Sequence, residues 1–495
     1  MFLGTRTETH MSGELHIGWG ETDITPDRKV ELEGQYYRRV SRGIHSRLKA
    51  VAWALENEDD QCIMVSLDIV GFDREFQQAL QERLQGKLPF DPKKVFLNTI
   101  HTHSGPAITV FINWWETDPD ALPVDEFRRM LLEKLEHVVL EAWNNRKAGG
   151  ISHGLGSARI GHCRRVAYAD GTAEMYGRTD RDDFIGMEGG EDSGVDLLFC
   201  FDASGKPTGV VVNVPCPSQI MEATYVVSSD YMGRLRERLK EHFGETFRVL
   251  CQIAPAGDQA PRDLTRADTV LDFWCEKGLD IVASRLMATI TSTYDHLAGN
   301  IEYGATLKHS VQELQLPRRR VSDQEYHDAL HTMEQLESGQ STKDAYREFC
   351  AEVHANEKCP NRPGPYDNKL HHFVLIRNEE AVVKRHEDQN NQSFHEAEVH
   401  LVRLGDAVFA TNPFELYQEY GQRIRARSRA RQTFMVQLCS GYAGYLPTPR
   451  AERLGGYGGL VINGQVGSDG GAMLVDETVR SIGKLFAKTK PESEG

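Results

Sequence analysis

His101 and His103 stand two residues apart at the end of an apolar run, Val95-Phe96-Leu97-Asn98-Thr99-Ile100, and directly before Ser104-Gly105-Pro106. A buried strand followed by a sharp turn is the expected context. Side chains alternate along a strand, so the spacing predicts both imidazoles on one side of its carboxyl end. In open α/β sheets that end is where ligands gather. Two convergent imidazoles suit a metal ion, but two hydrogen-bonded turn histidines produce the same short pattern. The pair alone leaves both readings open.

Further reactive residues stand at the ends of other strand-like runs. Cys216 sits in Pro215-Cys216-Pro217 after the apolar run 209–214, and Asp258 follows Gly257 after 249–253. Glu415 closes Asn412-Pro413-Phe414-Glu415, and Tyr442 and Tyr445 follow the run 433–438. Arg164 lies in Arg159-Ile160-Gly161-His162-Cys163-Arg164-Arg165, and Tyr457 in the glycine-rich stretch 455–459. Many strand ends carrying polar residues are the pattern of a site assembled from loops on one rim. Each residue also has an ordinary structural role open to it. Glu415, three residues after Asn412 with Pro413 between, fits a helix capping box. Asp230 fits a helix cap and Asp258 a turn.

Positioning these groups requires many alternating elements, and the chain supplies them. Apolar strand runs alternate with helical patterns over 77–84, 125–144, 230–242, 269–294, 412–427 and 471–487, with a long loop over 171–194. That alternation predicts an α/β fold of mostly buried mixed sheets flanked by helices. Residues 1–16 read as a leader and 17–490 as a single domain with no visible internal repeat. Within it, 318–360 is polar and helix-prone, an inserted helical hairpin suited to a lid or a subunit contact, which leaves a homo-oligomer open.

Bulk composition excludes several functions. A net charge of -16 over 495 residues is wrong for nucleic-acid binding or docking on anionic membranes. No apolar run is long enough to span a bilayer, and residues 1–20 lack a signal-peptide core. Nine cysteines without a Cys-x-x-Cys pair are expected to be reduced thiols in a cytoplasmic protein. The expected partner is a small-molecule substrate.

Taken together, the turns resemble the neutral (alkaline, non-lysosomal) ceramidase family. The resemblance rests on Asp23-Ile24-Thr25-Pro26, Val65-Ser66-Leu67-Asp68 and His101-Thr102-His103-Ser104-Gly105-Pro106. It continues through Ser229-Asp230, Gly257-Asp258, Pro413-Phe414-Glu415 and Tyr442-Ala443-Gly444-Tyr445-Leu446-Pro447-Thr448, in order along nearly the whole chain. Those ceramidases are zinc amidohydrolases. The resemblance therefore implies Zn2+ as cofactor, with His101, Glu415 and Tyr445 as ligands. It implies His103 as an acid/base or substrate contact beside the metal, and Arg164 and Tyr457 as substrate contacts. Metal-activated water and a histidine that moves protons form a coherent set, and a guanidinium can hold an oxyanion or carboxylate.

Three departures redirect the reading. Cys216 stands where the family has a second ligand histidine, and a thiolate can take that place. Ala260 stands where the family has its catalytic serine, and a methyl group cannot attack a carbonyl. The family's C-terminal immunoglobulin-like domain is missing from this sequence. The expectation is a zinc-dependent hydrolase of an amide, ester or lactone bond in a small polar or sugar-like metabolite, ceramidase-like but not a ceramidase. The alternatives are a metal-assisted lyase or isomerase acting α to a carbonyl, and a non-catalytic binding homologue.

Overall fold

A unit of strand-strand-strand-helix-strand-helix occurs three times in succession in the computed structural model. The structure describes residues 13–109, 118–266, 273, 276–356 and 371–487. The first unit is β1 (His16–Asp23), β2 (Lys49–Glu56), β3 (Gln61–Leu67), α1 (Arg74–Leu84), β4 (Val95–Thr99) and α2 (Val124–Asn144). The second is β5 (Lys147–Ser157), β6 (Gly194–Asp202), β7 (Pro207–Val214), α3 (Asp230–Phe243), β8 (Arg248–Ile253) and α4 (Glu276–Leu297).

The third unit opens with β9 (Leu307–Pro317) and is interrupted by α5 (Asp323–Glu337), α6 (Thr342–Asn356) and α7 (His372–Asp388). It resumes as β10 (Phe394–Leu404), β11 (Ala407–Thr411), α8 (Gln418–Arg427), β12 (Gln432–Val436) and α9 (Ser468–Leu485). In every unit the first two strand pairings are antiparallel and the third is parallel. A helix makes each parallel crossover, because a parallel pair cannot be joined by a tight turn.

Units one and two share an eight-stranded sheet in the order β8-β7-β6-β5-β1-β2-β3-β4, and unit three forms a four-stranded sheet, β9 to β12. The sheets face each other through Val51, Trp53, Phe96 and Leu250 on one side and Phe409 and Phe434 on the other, all fully buried. Helices α1 and α2 cover one half of the large sheet's outer face and α3 and α4 the other half. Helices α8 and α9 cover the small sheet. Burial on both faces is why these strands read as continuous apolar runs. This is the α/β architecture of mixed sheets flanked by helices that the sequence predicts.

Several local expectations change. A repeat is present at the level of elements, hidden because loop lengths and the insertion differ between units. The insertion has three helices, since α7 follows the predicted hairpin. It packs Tyr346, Phe349 and Phe373 against Tyr37. A small three-stranded sheet of Arg165–Tyr168, Ala173–Met175 and Phe184–Met187 takes up part of 171–194, expected as loop. No helix begins at Asn412: Glu415–Leu416 is a short strand and α8 starts at Gln418. Helix α4 covers Glu276–Leu297, and the beginning of the helix expected from 269 falls largely outside the described residues. Leu15, within the expected leader, is fully buried in the intersheet core. The described cysteines are all free thiols. Among the described residues, no helix is long and apolar enough to cross a membrane.

Candidate active site

Each unit ends its parallel pair at the same place. The Ser440 amide, past β12, donates to the Leu97 carbonyl in β4 at 3.0 Å, and the Gln437 amide donates to the Ile253 carbonyl of β8 at 3.0 Å. The Ser218 amide, past β7, donates to the Ile100 carbonyl at 3.3 Å. Carboxyl ends of parallel strands are where α/β proteins place ligands, and here the ends of the first and third units' pairs wall one cavity. It has a volume of about 300 Å3 and is walled by His101, His103, Glu415, Tyr442, Tyr445 and Tyr457 together with the segment 31–39.

The histidines reach it by a route that differs from simple strand alternation. β4 stops at Thr99, and His101 has φ of 59°, a left-handed conformation rare for a residue with a side chain. The turn brings the two rings together edge-on, with His103 Nε2 3.2 Å from His101 Nε2. His101 Nδ1 lies 2.8 Å from the Val70 carbonyl, which requires a proton on Nδ1 and leaves Nε2 as a lone pair aimed inward. Burial pushes the His101 imidazole below its ordinary pKa, opposed by Glu415. Burial, His101, Arg39 and Arg164 push His103 down further. Both rings are therefore neutral at pH 7, able to ligate or accept a proton.

Glu415 and Tyr445 face each other directly, as partners in a two-residue parallel strand pair. This geometry replaces the capping-box reading of Glu415. Its Oε1 accepts from the Tyr442 hydroxyl at 2.8 Å, while Oε2 lies 3.6 Å from His101 Nε2. The Arg164 guanidinium sits behind, donating to the Tyr445 hydroxyl at 3.2 Å, the Gly257 carbonyl at 3.0 Å and Gln219 Oε1 at 3.2 Å. It is 3.8 Å from Glu415 Oε2. Tyr457 stacks edge-on against Tyr445 at 5.4 Å and Tyr36 at 5.6 Å.

Cys216 and Ala260 stand apart from this group. The Cys216 thiol is fully buried in the core beneath α3 and donates to the Ile160 carbonyl at 3.3 Å. Burial pushes its pKa well up, keeping it protonated. It does not wall the cavity. Ala260 is fully buried and pairs with His162 in a short antiparallel ladder.

Four residues join the site without a sequence signal. Gln219 Nε2 lies 2.8 Å from His103 Nε2, and Glu222 Oε2 lies 3.6 Å from His103 Nδ1. Arg39 is fully buried and donates to the His103 carbonyl at 2.6 Å. Glu33 walls the cavity beside Gly34, whose φ is 106°. A Cβ on Gly34 would stand 2.5 Å from the His103 ring, so only glycine lets that segment lie on the imidazole. Polar residues of these types occur throughout the chain, and nothing in their spacing separates them.

The donor set fits a metal at its inner edge. Ligands on a tetrahedral zinc with bonds of roughly 2.0–2.1 Å lie about 3.3 Å apart, close to the 3.6 Å between His101 Nε2 and Glu415 Oε2. The Val70 and Tyr442 hydrogen bonds hold His101 and Glu415 from behind, as outer partners of metal ligands do. Among the described residues no three His, Cys, Asp or Glu side chains group tightly enough to hold a cation unaided. A metal here would need the Tyr445 oxygen as well.

Residues 15–148 match the family model described as neutral/alkaline non-lysosomal ceramidase, N-terminal. No curated protein matches the chain. Among solved structures, neutral ceramidase from Pseudomonas aeruginosa superposes with a TM-score of 0.65 at 18% identity, over 98% of this chain and 77% of that one. A ceramidase complexed with C2 gives 0.64 at 16% identity, with the same coverage. Residues 15–148 are thus similar to the N-terminal part of neutral ceramidases, and the fold of the chain is like theirs.

Proposed function

We propose that the protein is a zinc-dependent hydrolase of an amide, ester or lactone bond in a small polar metabolite. The observation that carries this reading is the His101–Glu415–Tyr445 grouping at the inner edge of one cavity, with neutral His103 beside it. His101 Nε2, Glu415 Oε2 and the Tyr445 hydroxyl would hold the metal. Such an ion supplies Lewis-acid polarisation of a carbonyl and activation of water. His103 would take a proton from the attacking water and return it to the leaving group, the water replacing the Gln219 amide at its Nε2. Gln219 fixes that ring. Arg164 is already engaged by four groups. It acts by orienting Tyr445 and Glu415 rather than by clamping substrate. Tyr457 lines the approach. Ala260 offers no nucleophile, so hydrolysis of ceramide through a serine is not expected.

Purified protein titrated with zinc should bind one equivalent, and His101→Ala should lose most of that affinity, because one ligand of a small set is gone. Full zinc content in the variant would reject the site. Cys216→Ser serves as the contrast. The thiol is protonated and hydrogen-bonded in the core, so the variant should hold as much zinc as wild type, and a marked loss would make Cys216 a ligand. A panel of amides, esters and lactones set against sugar acids, which lose water α to a carbonyl, then separates hydrolysis from the lyase alternative.

A further inference from the structure

We propose that Glu222 is the positioning residue of His103, holding the ring with its proton on Nδ1 and its Nε2 lone pair towards the reaction. This rests on the reading of His103 as the group that moves the proton. Which nitrogen carries the hydrogen follows from the neighbours of the ring. The Arg164 guanidinium donates to Gln219 Oε1 at 3.2 Å, so the amide nitrogen of Gln219 is the end that faces His103 Nε2, at 2.8 Å. That N–H donates and Nε2 accepts. A ring that accepts at Nε2 carries its hydrogen on Nδ1. Nδ1 has no hydrogen-bond partner among the described residues. Glu222 Oε2 stands 3.6 Å from it, and the Gly34 backbone lies against the same edge. The other charged groups acting on the ring, Arg39 and Arg164, are cations, and Glu415 faces His101 instead. Glu222 is buried and also acts on the charges of Arg39 and Tyr176.

The backbone keeps this approach in register. Ser104 Oγ, next to His103, donates to the Met221 carbonyl at 2.8 Å, and the Met221 amide donates to Asp230 Oδ2 at 2.7 Å. Arg39 spans both segments, donating to the carbonyls of His103 at 2.6 Å and Thr224 at 2.8 Å. Gln35 donates to the Glu222 carbonyl at 3.1 Å. The peptides on either side of Glu222 are thus fastened to the turn that carries His103.

The need for Glu222 arises when Gln219 gives up Nε2 to the attacking water. The ring then has only its Nδ1 edge to fix its angle and tautomer, and the opposite tautomer would present an N–H to the water and stop the transfer. As the water O–H bond breaks and the proton joins Nε2, the ring becomes a cation. The carboxylate offsets that charge without taking a proton, and the Nε2 proton passes on to the leaving group. A separation looser than a hydrogen bond is ordinary for such a pair before substrate binds.

Nuclear magnetic resonance of the full chain with isotope-labelled histidine tests the contact without a substrate. The His103 ring signals are those lost in His103→Ala. Wild type should show a single His103 N–H, on Nδ1, protected from exchange with water. Glu222→Gln has the same shape without the charge. It should shift that signal and speed its exchange, with zinc content and melting temperature near wild type. A proton on Nε2 in wild type, or an identical N–H in both proteins, would overturn the proposal. Should Glu222→Gln not fold, Glu222→Asp, whose carboxylate stands further from Nδ1, carries the same comparison. Turnover of the best-cleaved amide, ester or lactone gives the second readout. Glu222→Gln should lower kcat by about a hundredfold and leave KM within about threefold of wild type, a split that a packing role does not produce. If the ring signal moves but nothing in the panel is cleaved, Glu222 still holds His103 and the hydrolase reading falls. If the panel is cleaved and Glu222→Gln matches the wild-type kcat, the role of Glu222 falls alone.

Discussion

A His103→Ala variant is expected to turn over substrate about two to four orders of magnitude more slowly than wild type, the usual worth of a positioned general base or acid. The magnitude depends on His103 being neutral and fixed, and both conditions are met. Burial keeps the ring uncharged, and Gln219 and the Arg39-bound backbone hold it in place. Metal content should stay near the wild-type level, because His101, Glu415 and Tyr445 are untouched. A drop in rate together with loss of zinc would mean that His103 is itself a ligand, which its 3.2 Å approach to His101 Nε2 permits. Undiminished turnover would remove the proton-transfer role altogether. The pH dependence discriminates further: a limb at acid pH in wild type should disappear from the residual activity of the variant.

How far the sequence alone reaches is set by what kind of information each element carries. Strands buried on both faces announce themselves as apolar runs, and β3, β4, β7, β8 and β12 were all legible for that reason. The polar turns after them were legible as a group, since reactive side chains at several strand ends are unusual. What the turns do in space was not. His101 reaches the cavity through a left-handed backbone conformation that alternation does not anticipate. Glu415 matched a helix cap locally, and only its pairing with Tyr445, thirty residues away in sequence, makes it a strand residue. Long-range pairing overrides a local signal of this size.

The repeat was hidden for a related reason: it is a repeat of pairings rather than of residues. It nevertheless creates the strongest structural dependence in the site. Asp68 ends the first unit's inner strand, and Arg236 stands on α3 of the second unit. The two form a bidentate ion pair, 2.9 Å on each arm, with Asp68 fully buried. Asp68 also accepts the Lys49 amide at 2.8 Å. Replacing Asp68 with Ala leaves the Arg236 charge buried without its partner, a defect that costs about 3–5 kcal/mol. The urea midpoint of Asp68→Ala should fall accordingly. The double variant Asp68→Leu with Arg236→Met should recover most of the loss, since apolar residues of similar volume often replace a buried pair without penalty. Equal loss in the single and double variants would mean that the Lys49 bond, not the charge pair, is what matters. Function should follow stability here. Asp68 lies two residues before Val70, whose carbonyl fixes the His101 ring. Slack in that segment lets Nε2 swing away from Glu415. Asp68→Ala should therefore weaken zinc binding even at temperatures where it remains folded, while the double variant regains it. Wild-type zinc affinity in a folded but destabilised Asp68→Ala would separate the ion pair from the site.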